Sequence, residues 1–335
     1  MKKFRILLFP FAILYDAVTS VRNFFYDKGI FQSTGFSIPI IAIGNLSVGG
    51  TGKTPMVEYL IRLLNENYKI VTLSRGYKRK SKGFFMANSS TVMDDIGDEP
   101  FQYFSKFKNI HVAVDANRVE GVQKILKLQP ETEVVILDDA FQHRKIKAGF
   151  YIVLTSYDEL YFNDFLLPAG NLRENSRGID RANVVVVTKC PEEISLDEMN
   201  RIASKIKKSN DSIFFTTISY ENHVSNSNSI LDLNNLENDF LAVAGIAKPQ
   251  FFYNFLNRSE KDTLTFPDHH NFSANDIKYI LEKANGRKIV TTEKDYMRLQ
   301  HVLPQNILYY LPIKTKFVKN HRNFDELVVN FLKSK

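Results

Sequence analysis

From residue 36 onward the chain alternates between short, β-branched apolar runs and stretches whose apolar residues recur every third or fourth position. The runs Ile38–Ile43, Ile70–Leu73, Ile110–Val114, Val134–Leu137, Tyr151–Leu154, Val184–Val187 and Ile213–Ile218 read as strands. Thr54–Asn65, Glu99–Phe107, Arg118–Leu128 and Leu196–Lys208 read as helices between them. Apolar strands separated by amphipathic helices predict right-handed β-α-β crossovers and a largely parallel sheet covered on both faces. Ligands of such sheets bind beyond the carboxyl ends of the strands.

The pattern breaks at Tyr220–Asp239, where Glu221-Asn222-His223-Val224-Ser225-Asn226-Ser227-Asn228-Ser229 reads as a loop or linker. It resumes with Phe240–Ala244, a helix from Pro249, Thr263–Phe266, a helix from Ser273, and Lys288–Thr291, enough for a second, smaller α/β unit. Leu308–Leu311 and Lys314–Val318 are expected to return toward the first unit, and Phe324–Leu332 to form a closing amphipathic helix. The domain reading is therefore 1–35 as an N-terminal helix, 36–220 joined by 315–335 as the main domain, and 221–314 as the smaller one.

Residues 1–35 follow a different pattern. Ile6–Tyr15 carries no charge, is interrupted by Pro10 and ends at Asp16, which is too short to span a bilayer and lacks a cleavage site. Phe11, Leu14, Tyr15, Val18, Val21, Phe24 and Phe25 recur at helical spacing, flanked by Lys2, Lys3, Arg5, Arg22 and Lys28. Such a helix either lies in a membrane interface or packs its apolar face on its own domain, and the pattern alone leaves both open.

Composition narrows this modestly. With 335 residues, 44% of them hydrophobic and 24% charged, the chain has room for two ordinary globular domains. Its one cysteine, Cys190, excludes an intrachain disulfide framework and a multi-cysteine zinc site. The net charge of +7 suits an anionic partner without choosing between phosphate ligands, membranes and nucleic acid.

Candidate chemistry begins where the first strand stops. Gly44-Asn45-Leu46-Ser47-Val48-Gly49-Gly50-Thr51-Gly52-Lys53-Thr54-Pro55 places a glycine-rich turn and Gly-Lys-Thr between a strand and a helix. This is the layout of a phosphate-binding loop. Main-chain N–H groups surround the phosphates, Lys53 reaches the β/γ oxygens, and the Thr54 hydroxyl is placed for Mg²⁺. The strict pattern has Gly where Ser47 stands. A nucleoside triphosphate site follows, and with it an α/β fold of the P-loop NTPase type: a parallel sheet sandwiched by helices, with a smaller α/β domain and an N-terminal amphipathic helix.

Further polar clusters fall at other strand ends. Val134-Val135-Ile136-Leu137-Asp138-Asp139 is an apolar strand ending in acid, suited to orienting a Mg²⁺ shell, and continues as Ala140-Phe141-Gln142-His143-Arg144. Gly97-Asp98-Glu99-Pro100 opens a helix, with Asp98 placed either as an N-cap or as a carboxylate for phosphoryl transfer. Arg75, Arg118 and Arg173 stand where they could clamp an anionic substrate or form surface salt bridges. Phe266-Pro267-Asp268-His269-His270-Asn271-Phe272 reads as a capped loop or as a carboxylate-tuned histidine. Thr188-Lys189-Cys190 lacks the Asp of a guanine-reading signature, so nothing favours GTP over ATP.

Taken together, Gly44–Pro55, Leu73–Tyr77, Gly97–Pro100, Asp138–Arg144, Pro168–Glu174, Phe266–His270 and Thr291-Thr292-Glu293-Lys294-Asp295 resemble the tetraacyldisaccharide 4′-kinase (lipid A 4′-kinase) family, in family order across roughly residues 38 to 300. That family also has a hydroxyl residue at the Ser47 position, while Ala140 stands where many relatives have Gly. The resemblance implies transfer of the ATP γ-phosphate to the 4′-hydroxyl of a tetraacylated glucosamine disaccharide 1-phosphate, giving lipid IVA. It implies Mg²⁺, two α/β/α domains joined by a two-stranded linker, and peripheral attachment to the cytoplasmic face of the bacterial inner membrane through the N-terminal helix. Neither nucleic acid nor an obligate protein partner is implied.

By the same resemblance, Ser47, Val48, Gly49, Gly50, Thr51, Gly52, Lys53 and Thr54 bind nucleotide. Thr54, Glu99, Asp139 and Asp138 serve the metal. Asp98 is the base, with His269 poised by Asp268 as its partner from the other domain. Arg75, Arg118, Gln142, His143 and Arg173 contact substrate or phosphate. The competing reading is a P-loop switch or partition-type ATPase acting on a protein. The absence of a second Lys in the phosphate loop counts against it.

Overall fold

The structure is a computed structural model that describes residues 5–236, 239–268 and 270–334. A short 3₁₀ turn at Ile6–Leu8 leads into helix α1 (Phe9–Asp27). Then follow β1 (Ile40–Asn45), α2 (Lys53–Leu64), β2 (Ile70–Ser74), β3 (Phe85–Met86), α3 (Met93–Ile96), α4 (Asp98–Lys106), β4 (His111–Val114), α5 (Arg118–Leu128), β5 (Val134–Leu137), β6 (Phe150–Ser156), β7 (Val184–Thr188), α6 (Leu196–Ile206) and β8 (Ile213–Tyr220). The remainder comprises β9 (His223–Ser225), β10 (Ile230–Asp232), β11 (Phe240–Ala244), α7 (Gln250–Phe255), β12 (Thr263–Thr265), α8 (Ala274–Ala284), β13 (Lys288–Thr292), α9 (Glu293–Leu299), β14 (Leu308–Leu311), β15 (Ile313–Phe317) and α10 (His321–Lys333).

Two sheets organise these elements. The larger has the order β15-β8-β7-β6-β1-β5-β2-β4-β3, parallel from β4 through β8 with antiparallel edges at β3 and β15. Its central strands β1, β2, β5 and β7 are buried along their whole length, as apolar runs covered on both faces must be. Ile41, Ile43 and Ile136 pack with Met56, Leu60 and Ile61 of α2 on one side, while Ile40, Ala42 and Leu137 pack with Val122 and Ile125 of α5 on the other. The strand order reverses around β1, with β5 on one flank and β6 on the other, which opens a crevice at their carboxyl ends. The smaller sheet runs β10-β9-β14-β13-β11-β12.

The chain leaves the large sheet at the end of β8 and returns at the start of β15, whose Ile313 pairs with Tyr220. The stretch read as a linker contains the hairpin β9–β10, and β9 pairs antiparallel with β14 of the smaller sheet. Its Asn/Ser composition marks the turn: the Asn226 side chain accepts from the main-chain N–H groups of Asn228 and Ser229 at 2.9 and 2.7 Å. Leu308–Leu311 belongs to the smaller sheet, paired with β13, and only β15 and α10 return to the larger one. β1 begins at Ile40 rather than Ile38, since Pro39 has no N–H for the ladder.

The N-terminal helix corrects the expectation that its apolar segment is too short to span a bilayer. α1 carries Asp16, whose carboxylate accepts from the Asn175 side-chain amide at 3.2 Å, in line with the helical spacing read from Phe11 to Phe25. Ile6–Asp27 is thus 22 residues long and, by length and composition, apolar enough to cross a membrane. One face of α1 lies on the loops at the carboxyl edge of the large sheet. Tyr15 donates to the Arg173 carbonyl at 2.8 Å, Arg22 to the Gln142 carbonyl at 2.8 Å, and Asn23 to Glu174 at 3.0 Å. Phe11, Leu14, Val18, Val21 and Phe24 project from the other face, each more than half exposed.

Candidate functional site

The phosphate loop is built by close approach of backbone segments. A Cβ on Gly44, one residue before β1 ends, would lie 2.6 Å from the Phe141 Cβ, so only glycine lets the chain after β5 cross there. The buried Asn45 amide donates to Thr51 Oγ1 at 2.9 Å and ties the two ends of the loop together. Ser47 is buried and bridges to Leu172, and Val48 N–H donates to the Asn171 carbonyl at 2.8 Å. Gly49 and Gly52 take the left-handed backbone, with φ of +116° and +84°, and α2 starts at Lys53. From behind, Thr188 Oγ1 donates to the Thr51 carbonyl at 2.7 Å and Lys189 Nζ to the Gly50 carbonyl at 2.5 Å. Main-chain N–H groups at a helix start, with a lysine on the first turn, make an anion site.

Beyond β5, Asp138 and Asp139 sit beside this loop in opposite electrostatic settings. Asp139 faces Lys53 Nζ at 3.6 Å and takes both carboxylate oxygens to Arg173 Nη1 at 2.9 and 3.0 Å. Burial alone would raise its pKa, but Lys53 and Arg173 outweigh burial and hold it below the usual carboxylate range. Asp138 is fully buried, and burial followed by the nearby Glu99 charge pushes it up to about 7. Tyr103 donates to its Oδ2 at 3.1 Å, while its Oδ1 has no hydrogen-bond partner. A buried carboxylate oxygen without a donor is a vacancy in the hydrogen-bond ledger that a cation can fill.

Arg118 is 2% exposed, and its guanidinium donates to the main-chain carbonyls of Asp115 and, at 3.2 Å, of Asp138. It thus braces the strand end that carries the acids, and burial lowers its pKa to about 10. Gln142 donates to the Asn45 carbonyl and to Glu174, both at 2.9 Å, and Arg181 closes on Glu174 at 2.8 Å while stacking over the Phe141 ring. His143 is held neutral, lowered to about 4 by burial and then by Arg118. Arg75 is exposed after β2, within electrostatic range of both Arg118 and His143.

Asp98 is the first residue of α4, with Gly97 as the N-cap, so its carboxylate is not spent on capping the helix. Gly97 has φ of +90°, and a Cβ there would lie 2.7 Å from the Tyr77 carbonyl, which locks the helix start against the turn after β2. The Asp98 carboxylate receives Arg298 of α9, an ion pair reaching over from the smaller sheet. Asp268 pairs with Lys294 at 3.2 Å. His270 meets Asp276 at 3.0 Å beside the capping box of Ser273 and Asp276. His269 lies outside the described residues.

Sequence reasoning missed Arg298, Lys189, Tyr103 and Arg181. Tyr103 and Arg298 are single residues on helices, Arg181 ends a 3₁₀ turn and Lys189 follows β7 with a left-handed backbone, and the Thr188-Lys189-Cys190 stretch was read only for a guanine signature. Thr292 was the one available signal near Arg298: it caps α9 by accepting from Asp295 N–H and so fixes where that helix begins.

Residues 4–333 match the family model described as tetraacyldisaccharide-1-P 4′-kinase, LpxK. The tetraacyldisaccharide 4′-kinase of Flavobacterium johnsoniae is 52% identical over 335 residues, covering 99% of this chain and 98% of the relative. That of Bacteroides thetaiotaomicron is 42% identical, with 97% of this chain and 93% of the relative covered. A crystal structure of LpxK from Aquifex aeolicus in complex with ATP superposes with a TM-score of 0.81 at 30% identity, covering 98% of this chain and 99% of that one.

Proposed function

The chain belongs to the tetraacyldisaccharide-1-P 4′-kinase family, and from that premise we propose how its own residues perform the transfer. The donor is ATP and the acceptor is the 4′-hydroxyl of a tetraacylated disaccharide 1-phosphate, the product being lipid IVA. The observation that carries the reading is the convergence of Lys53, Asp139 and the buried, unpartnered Asp138 oxygen beside the phosphate loop. Residues 36–220 with 313–335 act as the nucleotide domain and 221–312 as the smaller domain.

The loop N–H groups from Ser47 to Thr54 hold the phosphates. Lys53 exchanges its partial contact with Asp139 for the β/γ oxygens. Thr54 and Asp138, with Glu99 and Asp139 in support, would hold Mg²⁺. A small hard cation needs only one or two carboxylates besides phosphate oxygens, and the orphaned Asp138 Oδ1 fits that need. When bound, the ion neutralises charge that builds on the transferred phosphoryl group. Asp98 takes the 4′-hydroxyl proton as that oxygen forms its bond to the γ-phosphorus. The bond from γ-phosphorus to the β,γ-bridging oxygen breaks, and ADP leaves with that electron pair. Arg75, Arg173 and His143 would supply contacts for the anionic acceptor, while Gln142, whose amide donates to the Asn45 carbonyl and Glu174, braces the loop.

The exposed apolar face of α1 supports attachment to the inner membrane, and the use of ATP supports its cytoplasmic face, with the acyl chains of the acceptor lying along α1. The test is direct. Purified protein with Mg-ATP should phosphorylate the disaccharide lipid, and Asp98→Ala should lower kcat by at least about 10²-fold while ATP binding stays within twofold. ATP turnover that ignores the lipid and requires a protein partner would overturn the proposal in favour of a switch ATPase.

A further inference from the structure

The helix carrying Asp98 is gripped along its length by a helix from the other sheet. α4 and α9 run antiparallel: Asp98 at the start of α4 meets Arg298 near the end of α9, and Lys106 at the end of α4 meets Glu293 at the start of α9. The two ends of this pairing differ in kind. The Lys106 end is a buried cluster with Glu58 and Gln102, remote from the Asp98 carboxylate by the length of α4. The Arg298 end closes on the carboxylate to which the transfer mechanism assigns the acceptor proton.

Arg298 is itself aimed. Its side chain is 7% exposed, its Nη1 lies 3.8 Å from Asp295 Oδ1 and 3.5 Å from the His270 carbonyl, and its Nη2 donates to Asp98 Oδ2. Asp295 is wholly buried, and its Oδ2 takes the Gly245 N–H at 2.7 Å and the Thr292 hydroxyl at 2.7 Å. The Gly245 position is tight as well, since a Cβ there would lie 3.0 Å from Asp295 Oδ1. The strand end after β11 therefore fixes Asp295, Asp295 with the His270 carbonyl fixes the guanidinium, and the guanidinium fixes one oxygen of Asp98.

We infer that Arg298 is a positioning residue for phosphoryl transfer: by holding Asp98 Oδ2 from the smaller domain, it sets the plane of the carboxylate that receives the acceptor proton. The inference rests on the role proposed for Asp98. A carboxylate at the start of a helix can rotate about two side-chain torsions, and a base must meet its proton within hydrogen-bond reach. Fixing one oxygen through a planar guanidinium removes that freedom. Because the guanidinium comes from α9, this hold on Asp98 exists when the smaller domain is seated on α4. This makes correct docking of the two domains a condition for chemistry.

The experiment uses the full chain with Mg-ATP and the tetraacyl disaccharide 1-phosphate, comparing wild type, Arg298→Ala, Arg298→Lys, Asp98→Ala and the Asp98→Ala/Arg298→Ala double variant, with melting curves for each. Arg298→Ala should lose about 10²-fold in kcat with the KM for ATP within twofold, the size expected when a reacting group is misplaced. Arg298→Lys should recover about tenfold, since a point charge restores the pairing but not the planar fork. Added guanidinium ion should raise the Arg298→Ala rate severalfold without affecting wild type or Asp98→Ala. The double variant, measured in single turnover, should match Asp98→Ala within twofold, because both changes remove one function.

Wild-type kcat in Arg298→Ala, with Asp98→Ala inactive, would overturn the inference alone. So would a double variant whose losses multiply. Full activity in Asp98→Ala would overturn the role of Asp98 and the inference with it. Should Arg298→Ala fail to fold, the Lys variant decides: a lowered kcat with an unchanged melting curve supports the positioning role, and an unchanged kcat overturns it.

Discussion

Replacing Glu293 by Gln tests the electrostatics of the seam between the two sheets. Glu293 is 4% exposed and Glu58 1%, and one ammonium, Lys106, reaches both carboxylates. Gln102 Nε2 donates to Glu58 at 2.8 Å and Glu293 at 3.1 Å, and Arg62 reaches only Glu58, at 2.8 Å. Burial first, then the Glu58 charge, raise the Glu293 carboxyl from 4.5 to about 8, and Lys106 only partly opposes them. The folded protein therefore keeps the Glu293 proton at neutral pH, whereas the unfolded chain has lost it above 4.5. A carboxyl raised in this way stabilises the fold below pH 4.5, and that stability drains away as pH rises toward 8. Each pH unit inside the window is worth about 1.4 kcal/mol, so from pH 6 to pH 8, where the folded group is half ionised, the loss is on the order of 2 kcal/mol.

The Glu293→Gln variant keeps an acceptor for Lys106 and cannot ionise, so it should escape this loss. In urea unfolding the variant's advantage over wild type should open above pH 4.5 and grow by about 2 kcal/mol between pH 6 and pH 8. A stability difference that is the same at both pH values would mean that Glu293 is already ionised at pH 6. A variant that loses ground as pH rises would reverse the sign and refute the reasoning.

Two further outcomes follow from packing. Gly44→Ala places a Cβ 2.6 Å from Phe141 Cβ and 2.9 Å from its main-chain nitrogen, so it should cost about 1–3 kcal/mol or more in urea unfolding and weaken ATP binding; an unchanged midpoint would refute the close-approach argument. Phe11→Ser, Leu14→Ser and Val18→Ser combined alter only exposed positions on α1. The triple variant should melt like wild type yet bind anionic liposomes at least about tenfold less, given roughly 1.5–3 kcal/mol for fully burying each apolar side chain. Equal liposome binding would remove that face from the membrane contact.

What the sequence made legible is what local chemistry and short-range order control. Strands of the large sheet were readable because burial on both faces demands uninterrupted apolar runs such as Val134–Leu137 and Val184–Thr188. The phosphate loop was readable because its glycines, Lys53 and Thr54 act through main-chain geometry within a dozen residues. The hairpin β9–β10 was not, since strands of three residues with a polar Asn/Ser turn carry too little apolar alternation to separate them from a linker. The helical spacing from Phe11 to Phe25 did announce α1 through Asp16, but not the partner that lets the acid sit on it, Asn175, 159 residues away. Arg298 is the sharpest case. Nothing within its own helix distinguishes it from a solvated arginine, and its meaning comes from Asp98, 200 residues earlier, and from the antiparallel register of α4 and α9. Motifs thus announce the groups that touch phosphate, while the groups that hold those motifs in place are fixed by which helices the two sheets bring together.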